Sequence, residues 1–286
     1  DATWHPIATG VLAQMHKIRR AYALGVHSIG GHLAEVVALP VAGLALLFWD
    51  WRVALQILII PTLIMGLCFI FIAPKVPRHV NSRPTRADFS DIWRVWSTWT
   101  GVRVLALFTS YNMGLFAITT MTPLYLRANH DFSWLETALA MAAMMTAGAL
   151  AMPWMGRISD NIGRRPLILM GNGIASIAAI AAWAFSSVVV TLVALGIAMT
   201  ALVAIRAVLQ AAAVDHAGGR EGTSLGLTFA FMDGFAASAA VLAGLAGEND
   251  LANAFLLASG FSLIAFFLAM TIEKPGSARQ PDAATT

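Results

Sequence analysis

Three ionisable residues lie deep within long apolar runs of this 286-residue chain: Glu35, Arg206 and Asp233. A charged side chain near the middle of a bilayer costs about 2.5–3.5 kcal/mol on insertion scales, so its presence points to pairing, proton carriage or ligand binding. Glu35 has His32 about one turn before it and His27 about two turns before it. A carboxylate beside an imidazole can take up and release a coupling proton; the alternative is a Glu–His hydrogen bond that staples two helices. Arg206 can attract an anionic or polar solute. Asp233 can carry a proton, or it can simply pair with Arg206. His5, Tyr111, Asn112 and Gln210 add further polar groups inside apolar runs, each serving either a solute or a helix–helix contact.

The elements that hold these residues follow from composition. The chain is 58% hydrophobic and 12% charged, with a mean hydropathy of +0.73. That is more apolar surface than one soluble core of this length can hide, so the expected class is an all-α membrane protein. A bilayer core about 30 Å thick needs roughly 20 apolar residues per helix. Nine runs of this kind can be marked, the first incomplete: roughly 4–16, 22–48, 52–73, 102–126, 134–155, 167–186, 188–213, 223–246 and 250–272.

The cations alternate with these runs. Lys17, Arg19 and Arg20 follow the first; Lys75, Arg78, Arg83, Arg86, Arg94 and Arg103 lie between the third and fourth; Arg157, Arg164 and Arg165 lie between the fifth and sixth. Arg220 follows the seventh and Lys274 and Arg279 the ninth, which puts fifteen of the 18 Lys and Arg residues on one side, against Arg52 and Arg127 on the other. The positive-inside rule places the fifteen in the cytoplasm, so residues 17–21, 75–100, 156–166, 214–222 and the C-terminus are expected there. The same distribution explains the net charge of +3 as a topology signal, and no basic patch suggests nucleic acid. Cys68, the only cysteine, reads as a buried inert thiol, with neither a disulfide nor a cysteine metal site to join. The chain starts at Asp1 beside an apolar segment with no basic leader, so this is not a secretory signal and an N-terminal truncation is expected.

Residues 74–101 form the only long connection between runs, and in it Trp93, Trp96 and Trp99 recur every three residues. They suit either an interfacial helix in the headgroup region or the aromatic start of the next membrane helix.

A shift of 201 residues aligns Arg19 with Arg220, Leu24-Gly25 with Leu225-Gly226 and Gly43-Leu44 with Gly244-Leu245, and it lays 22–48 on 223–246. The same shift sets His5 opposite Arg206 and His32 opposite Asp233. Ionisable groups at equivalent depths in two repeats suit a site between them. The chain then divides into the last three helices of one bundle (1–74), a linker with a possible interfacial helix (75–100), a complete six-helix bundle (101–273) and a tail (274–286). Equivalent halves would place three more helices before Asp1, in roughly 100 residues. Gly31, Ala34 and Ala38 form a small-residue stripe suited to helix packing.

Between the fifth and sixth runs stands Gly156-Arg157-Ile158-Ser159-Asp160-Asn161-Ile162-Gly163-Arg164-Arg165-Pro166. It reads as a tight charged turn, with Gly156 and Gly163 permitting close approach or positive φ and Asp160 able to cap a helix. The order Gly-x-x-x-Asp-x-x-Gly-Arg-Arg resembles the signature loop of the major facilitator superfamily of secondary transporters. With the linker and repeat, the likeness covers essentially the whole chain. The resemblance implies two six-helix bundles, of which this chain holds the fourth to twelfth helices. His5-Pro6, the Arg19-Arg20 turn and Trp51-Arg52 look similar to the drug and small-metabolite exporters of that superfamily, although Leu39-Pro40 stands where antiporters often carry Gly-Pro.

What the resemblance implies is a proton-coupled secondary transporter of a small organic molecule, an exporter, in the cell membrane and functional as a monomer when full length. Gly156, Asp160, Gly163, Arg164 and Arg165 would form a conformational gate, with Asp160 meeting the N-terminus of the 22–48 helix and the arginines meeting carboxylates or lipid phosphates. Asn161 departs from the basic residue usual at its position. The competing reading is a receptor or assembly subunit that kept the fold and lost transport. No nucleotide-binding glycine loop, nucleophile elbow or HExxH is present, so neither an enzyme, a cofactor nor a metal is expected.

Overall fold

The computed structural model describes residues 4–72, 90, 93–217 and 221–272. Most of the 75–100 linker, Arg220 and the 274–286 tail lie outside the described residues.

The apolar runs form helices: α1 (Trp4–Met15), α2 (Arg20–Phe48), α3 (Trp51–Ile72), α4 (Trp99–His130), α5 (Trp134–Ile162), α6 (Arg164–Ala184), α7 (Val188–Ala217), α8 (Glu221–Ala246) and α9 (Asn253–Met270). Eight of them, all but α1, are long and apolar enough to cross a membrane. Among the described residues there is no strand. The architecture is all-α and that of a multi-pass membrane protein.

Helix ends are set by local chemistry. The Thr98 hydroxyl accepts from the Gly101 N–H at 3.1 Å and starts α4. Ser133 and Glu136 form a reciprocal capping box at the start of α5, satisfying two donors that a helix N-terminus otherwise leaves open. The Arg127 guanidinium lies over Trp134, 3.2 Å from its ring centroid, and ties the two ends of this short connection.

The N-terminal half of α7, up to Ile205, is apolar apart from two threonines, and the helix sits in the middle, packed against α5 and α6 and also touching α2, α4 and α8. A stretch without a polar face belongs in the interior of a bundle, and Leu195, Ala198, Met199 and Leu202 are fully buried. α9 bridges α4 and α6, where the Ser176 and Ser259 hydroxyls meet at 2.7 Å. The most extensive single interface joins α2 to α5, while α1 lies on α8.

Three expectations change. Cys68 is exposed, because α3 buries only Ala54 against the rest of the protein. Gly31, Ala34 and Ala38 are likewise exposed, and α2 instead packs through Ala21 and Leu24, both fully buried. The third is that a spacing of three would set Trp93, Trp96 and Trp99 loosely along one side of a continuous helix; the chain bends at Ser97–Thr98, so Trp96 is buried at 2% exposure while Trp93 and Trp99 are exposed.

Candidate functional site

The segment 156–166 is helical but for one residue, so the tight turn expected across it narrows to Gly163. α5 continues to Ile162 and α6 begins at Arg164, leaving Gly163 alone between them. Nothing from Arg157 to Ile162 breaks a helix, and polarity alone had suggested a loop. Gly163 has φ 93° and ψ 166°, a backbone conformation that L side chains rarely adopt. It reverses the chain in one residue and brings Arg164 back beside Asp160.

Around this corner four helix ends form a closed ring of charge. The Asp160 carboxylate, on α5, accepts from the backbone N–H groups of Ala21 at 3.2 Å and Tyr22 at 3.0 Å. These belong to the first turn of α2, whose N-terminal end carries the positive pole of the helix dipole and has no side-chain cap of its own. Arg164, on α6, donates to Asp160 and to the Ser159 hydroxyl, and its Nε pairs with Asp215 of α7 at 3.0 Å. Asp215 in turn pairs with Arg20 of α2 at 2.6 Å. The Asp160 side chain is only 5% exposed, so its own contacts are shielded from water and screened little by salt, whereas Asp215 is 41% exposed and its pairs face water. Arg157 adds a cation–π contact over Tyr22 at 5.2 Å. Arg165 is half-buried and lines a cleft beside the ring together with Arg164 and Asp215.

Gly156 sets the depth of this contact. It is helical, and a Cβ there would lie 2.7 Å from the Ala21 carbonyl carbon and 2.9 Å from the Tyr22 nitrogen. Both are backbone atoms that cannot rotate aside. Gly156→Ala is therefore expected to push α2 away and lengthen the Asp160 contacts. The outcome to look for is faster amide exchange at Ala21 and Tyr22, with the Gly163 corner unchanged.

The polar residues of the core are brought together in part. Asn112 of α4 donates from Nδ2 to Asp233 Oδ1 and to the Met232 carbonyl on α8, both at 3.2 Å. Tyr111, fully buried, donates to the Leu202 carbonyl of α7 at 2.7 Å, one turn before Arg206. No ion pair joins Arg206 to Asp233 among the described residues, so the pairing considered for them is not made. Asp233 is exposed and Arg206 half-buried. The buried Asn112 Oδ1 and Gln210 Oε1 have no hydrogen-bond partner among the described residues, and buried amide oxygens seldom go unsatisfied. His5 of α1 meets His27 of α2 edge-on at 6.2 Å and Phe229 of α8 at 6.3 Å. His32 is buried at 6% exposure. Glu35 falls on α2, and its side chain lies outside the described residues. Among those residues no cluster of His, Cys, Asp and Glu is arranged to hold a metal.

Sequence reasoning missed the roles of two residues. Arg20 reads as one of many topology charges, and Asp215 carries no motif. Their signal is positional: each lies at the arginine-rich end of a run, and an isolated acid there invites a basic partner. Trp96, singled out with its neighbouring tryptophans, sets its ring edge-on to His216 of α7 at 5.1 Å.

Comparison with known proteins fits this arrangement. Proline/betaine transporters of Escherichia coli strains K12 and O157:H7 are each 28% identical over 193 residues. Those matches cover 61% of this chain and 37% of each transporter. The family model of the Major Facilitator Superfamily matches twice, over residues 2–237 and 135–285. Eight membrane-length helices, a Gly-x-x-x-Asp-x-x-Gly-Arg-Arg corner and two matches that together span nearly every residue place the chain in the Major Facilitator Superfamily.

Proposed function

We propose that this protein is a secondary active transporter that moves a small organic molecule by alternating access, coupled to protons. The observation that carries the reading is the Asp160 carboxylate seated on the first turn of α2. A charged side chain holding the N-terminus of a helix from another part of the fold is a contact that two rocking bundles can make and break. In this reading residues 1–74 are the last helices of one bundle, 75–100 the linker and 101–273 the other bundle. The arginine-rich end faces the cytoplasm, and the ring of charge holds that side closed. Lipid surrounds the bundles, and the full-length monomer is the working unit in the cell membrane.

The solute would enter between the bundles, where Arg206, Asp233 and the unsatisfied amide oxygens of Asn112 and Gln210 offer charge and hydrogen bonds. Glu35, His32 and His5 lie on the opposing helices and supply titratable groups for coupling. The similarity to proline/betaine transporters makes small zwitterions the first solutes to try. Export is the direction implied by the likeness to drug and metabolite exporters.

Flux in proteoliposomes containing the full-length protein tests this reading, with proline, betaine and a panel of small organic ions, with and without a pH gradient. Gradient-dependent flux of one solute class is expected, and its sign gives the direction. Arg206→Gln is expected to raise KM roughly tenfold for solutes carrying a carboxylate, as for the loss of one charge-assisted hydrogen bond. Solute binding without flux would favour the receptor reading instead.

A further inference from the structure

At the arginine-rich end a cleft of about 320 Å³ opens between the start of α4, the start of α6, the end of α7 and the residues after α9. Its walls include Thr100 and Arg103 of α4, Arg164 and Arg165 of α6, and Asp215 and His216 of α7. Three guanidinium groups thus face one carboxylate, and that carboxylate is already engaged by Arg20 and Arg164. Arg103 is held in place by the Trp99 carbonyl and the Thr100 hydroxyl, each at 3.4 Å, and its guanidinium lies 5.8 Å from the Trp99 ring centroid. Neither Arg103 nor Arg165 pairs with a carboxylate among the described residues. The buried Nε2 of His216 also has no hydrogen-bond partner among them.

Arg103 is thus oriented before any ligand arrives, and among the described residues the uncompensated charge of the cleft is positive. Guanidinium groups match the oxygens of a phosphate in bidentate fashion, which an ammonium cannot do. The volume admits a phosphate group with a small ester substituent. We propose that this cleft is a binding site for a phosphate-bearing anion, held by Arg103 and Arg165. Because Arg164 and Asp215 form one wall and also belong to the ring of charge, an occupant would act directly on that ring. The phosphate can belong to the headgroup of an anionic lipid, since basic pockets between membrane helices receive such groups, or to a free phosphate ester.

The test is thermal unfolding of the full-length protein in detergent, titrated separately with monomeric dihexanoyl phosphatidylglycerol, inorganic phosphate, and sodium chloride at matched ionic strength. A saturable rise in Tm with a phosphate compound, above that with chloride, is expected. Half-saturation in the Arg103→Gln/Arg165→Gln double variant should move to at least about tenfold higher concentration. If that variant does not fold, Arg165→Lys is read instead; it keeps the charge, loses the bidentate geometry and should bind several-fold more weakly. A rise with phosphatidylglycerol alone assigns the site to a lipid headgroup, and a rise with both assigns it to phosphate as such. The proposal is overturned if neither compound exceeds chloride, or if the substitutions leave the titration unchanged. Transport is not a readout here, so this result stands apart from the transport proposal.

Discussion

Replacing Asp160 with alanine is expected to lower the transport rate roughly thirtyfold while leaving insertion and folding intact. The figure follows from the contact: a partly buried charge at a helix N-terminus contributes up to about 2 kcal/mol, and each 1.4 kcal/mol is tenfold in an equilibrium. The carboxylate is 5% exposed and meets two backbone donors of α2, so it belongs at the upper end of that range. Without it the state closed at the arginine-rich end loses its preference, and the cycle stalls in the other. Asp160→Asn keeps an acceptor and loses the charge, so it should fall between alanine and the natural residue. Flux in proteoliposomes gives the rate, and hydrogen exchange at Ala21 and Tyr22 reports the contact itself. Faster exchange with unchanged flux would show that the contact is structural and gates nothing.

The second large effect is expected at Glu35. If this carboxylate carries the coupling proton, Glu35→Gln abolishes flux driven by a pH gradient and spares solute exchange between the two sides. Coupling one proton to a gradient of two pH units supports about hundredfold accumulation of solute. In the variant, accumulation should fall to the level reached with no gradient. The position suits the role: α2 holds Glu35, the buried His32 and His27 along one helix, and its first turn is the one clasped by Asp160. A coupling residue on a helix that takes part in closure can link its own protonation to the movement. Persistence of gradient-driven flux would assign the proton to another group, with Asp233 the first to test by Asp233→Asn.

Much of this fold is legible without coordinates because the bilayer imposes a coarse code. Apolar runs of membrane length and alternating Lys and Arg residues locate the helices, and the observed bounds differ from those runs by at most four residues, apart from the C-terminal end of α5, which runs seven further. What sequence does not encode so simply is which ends meet. Arg20 and Asp215 are 195 residues apart, and no periodicity announces their ion pair. The length of α5 was hidden for a different reason. Arg157, Ser159, Asp160 and Asn161 are polar because they leave the apolar region, and polarity says nothing about whether the backbone stays helical. Only Gly163 breaks the helix. Cys68 and the Gly31 stripe show the converse: apolar or small residues alone do not say which face of a helix the rest of the chain covers. The core polar groups fall between these cases. Asn112 and Asp233 stand out as polar residues in apolar runs, but their hydrogen bond depends on α4 packing against α8, a tertiary fact.

α2 is held to the rest of the ring at two separate points. Its backbone is gripped at Ala21 and Tyr22 by Asp160, and its Arg20 side chain is gripped by Asp215 on a different helix. A rod fastened at one point can spin about its own long axis; fastened at two points off that axis, it can only hinge. Together with the broad face that α2 lays on α5, the two fastenings fix the azimuth of the helix at its arginine-rich end.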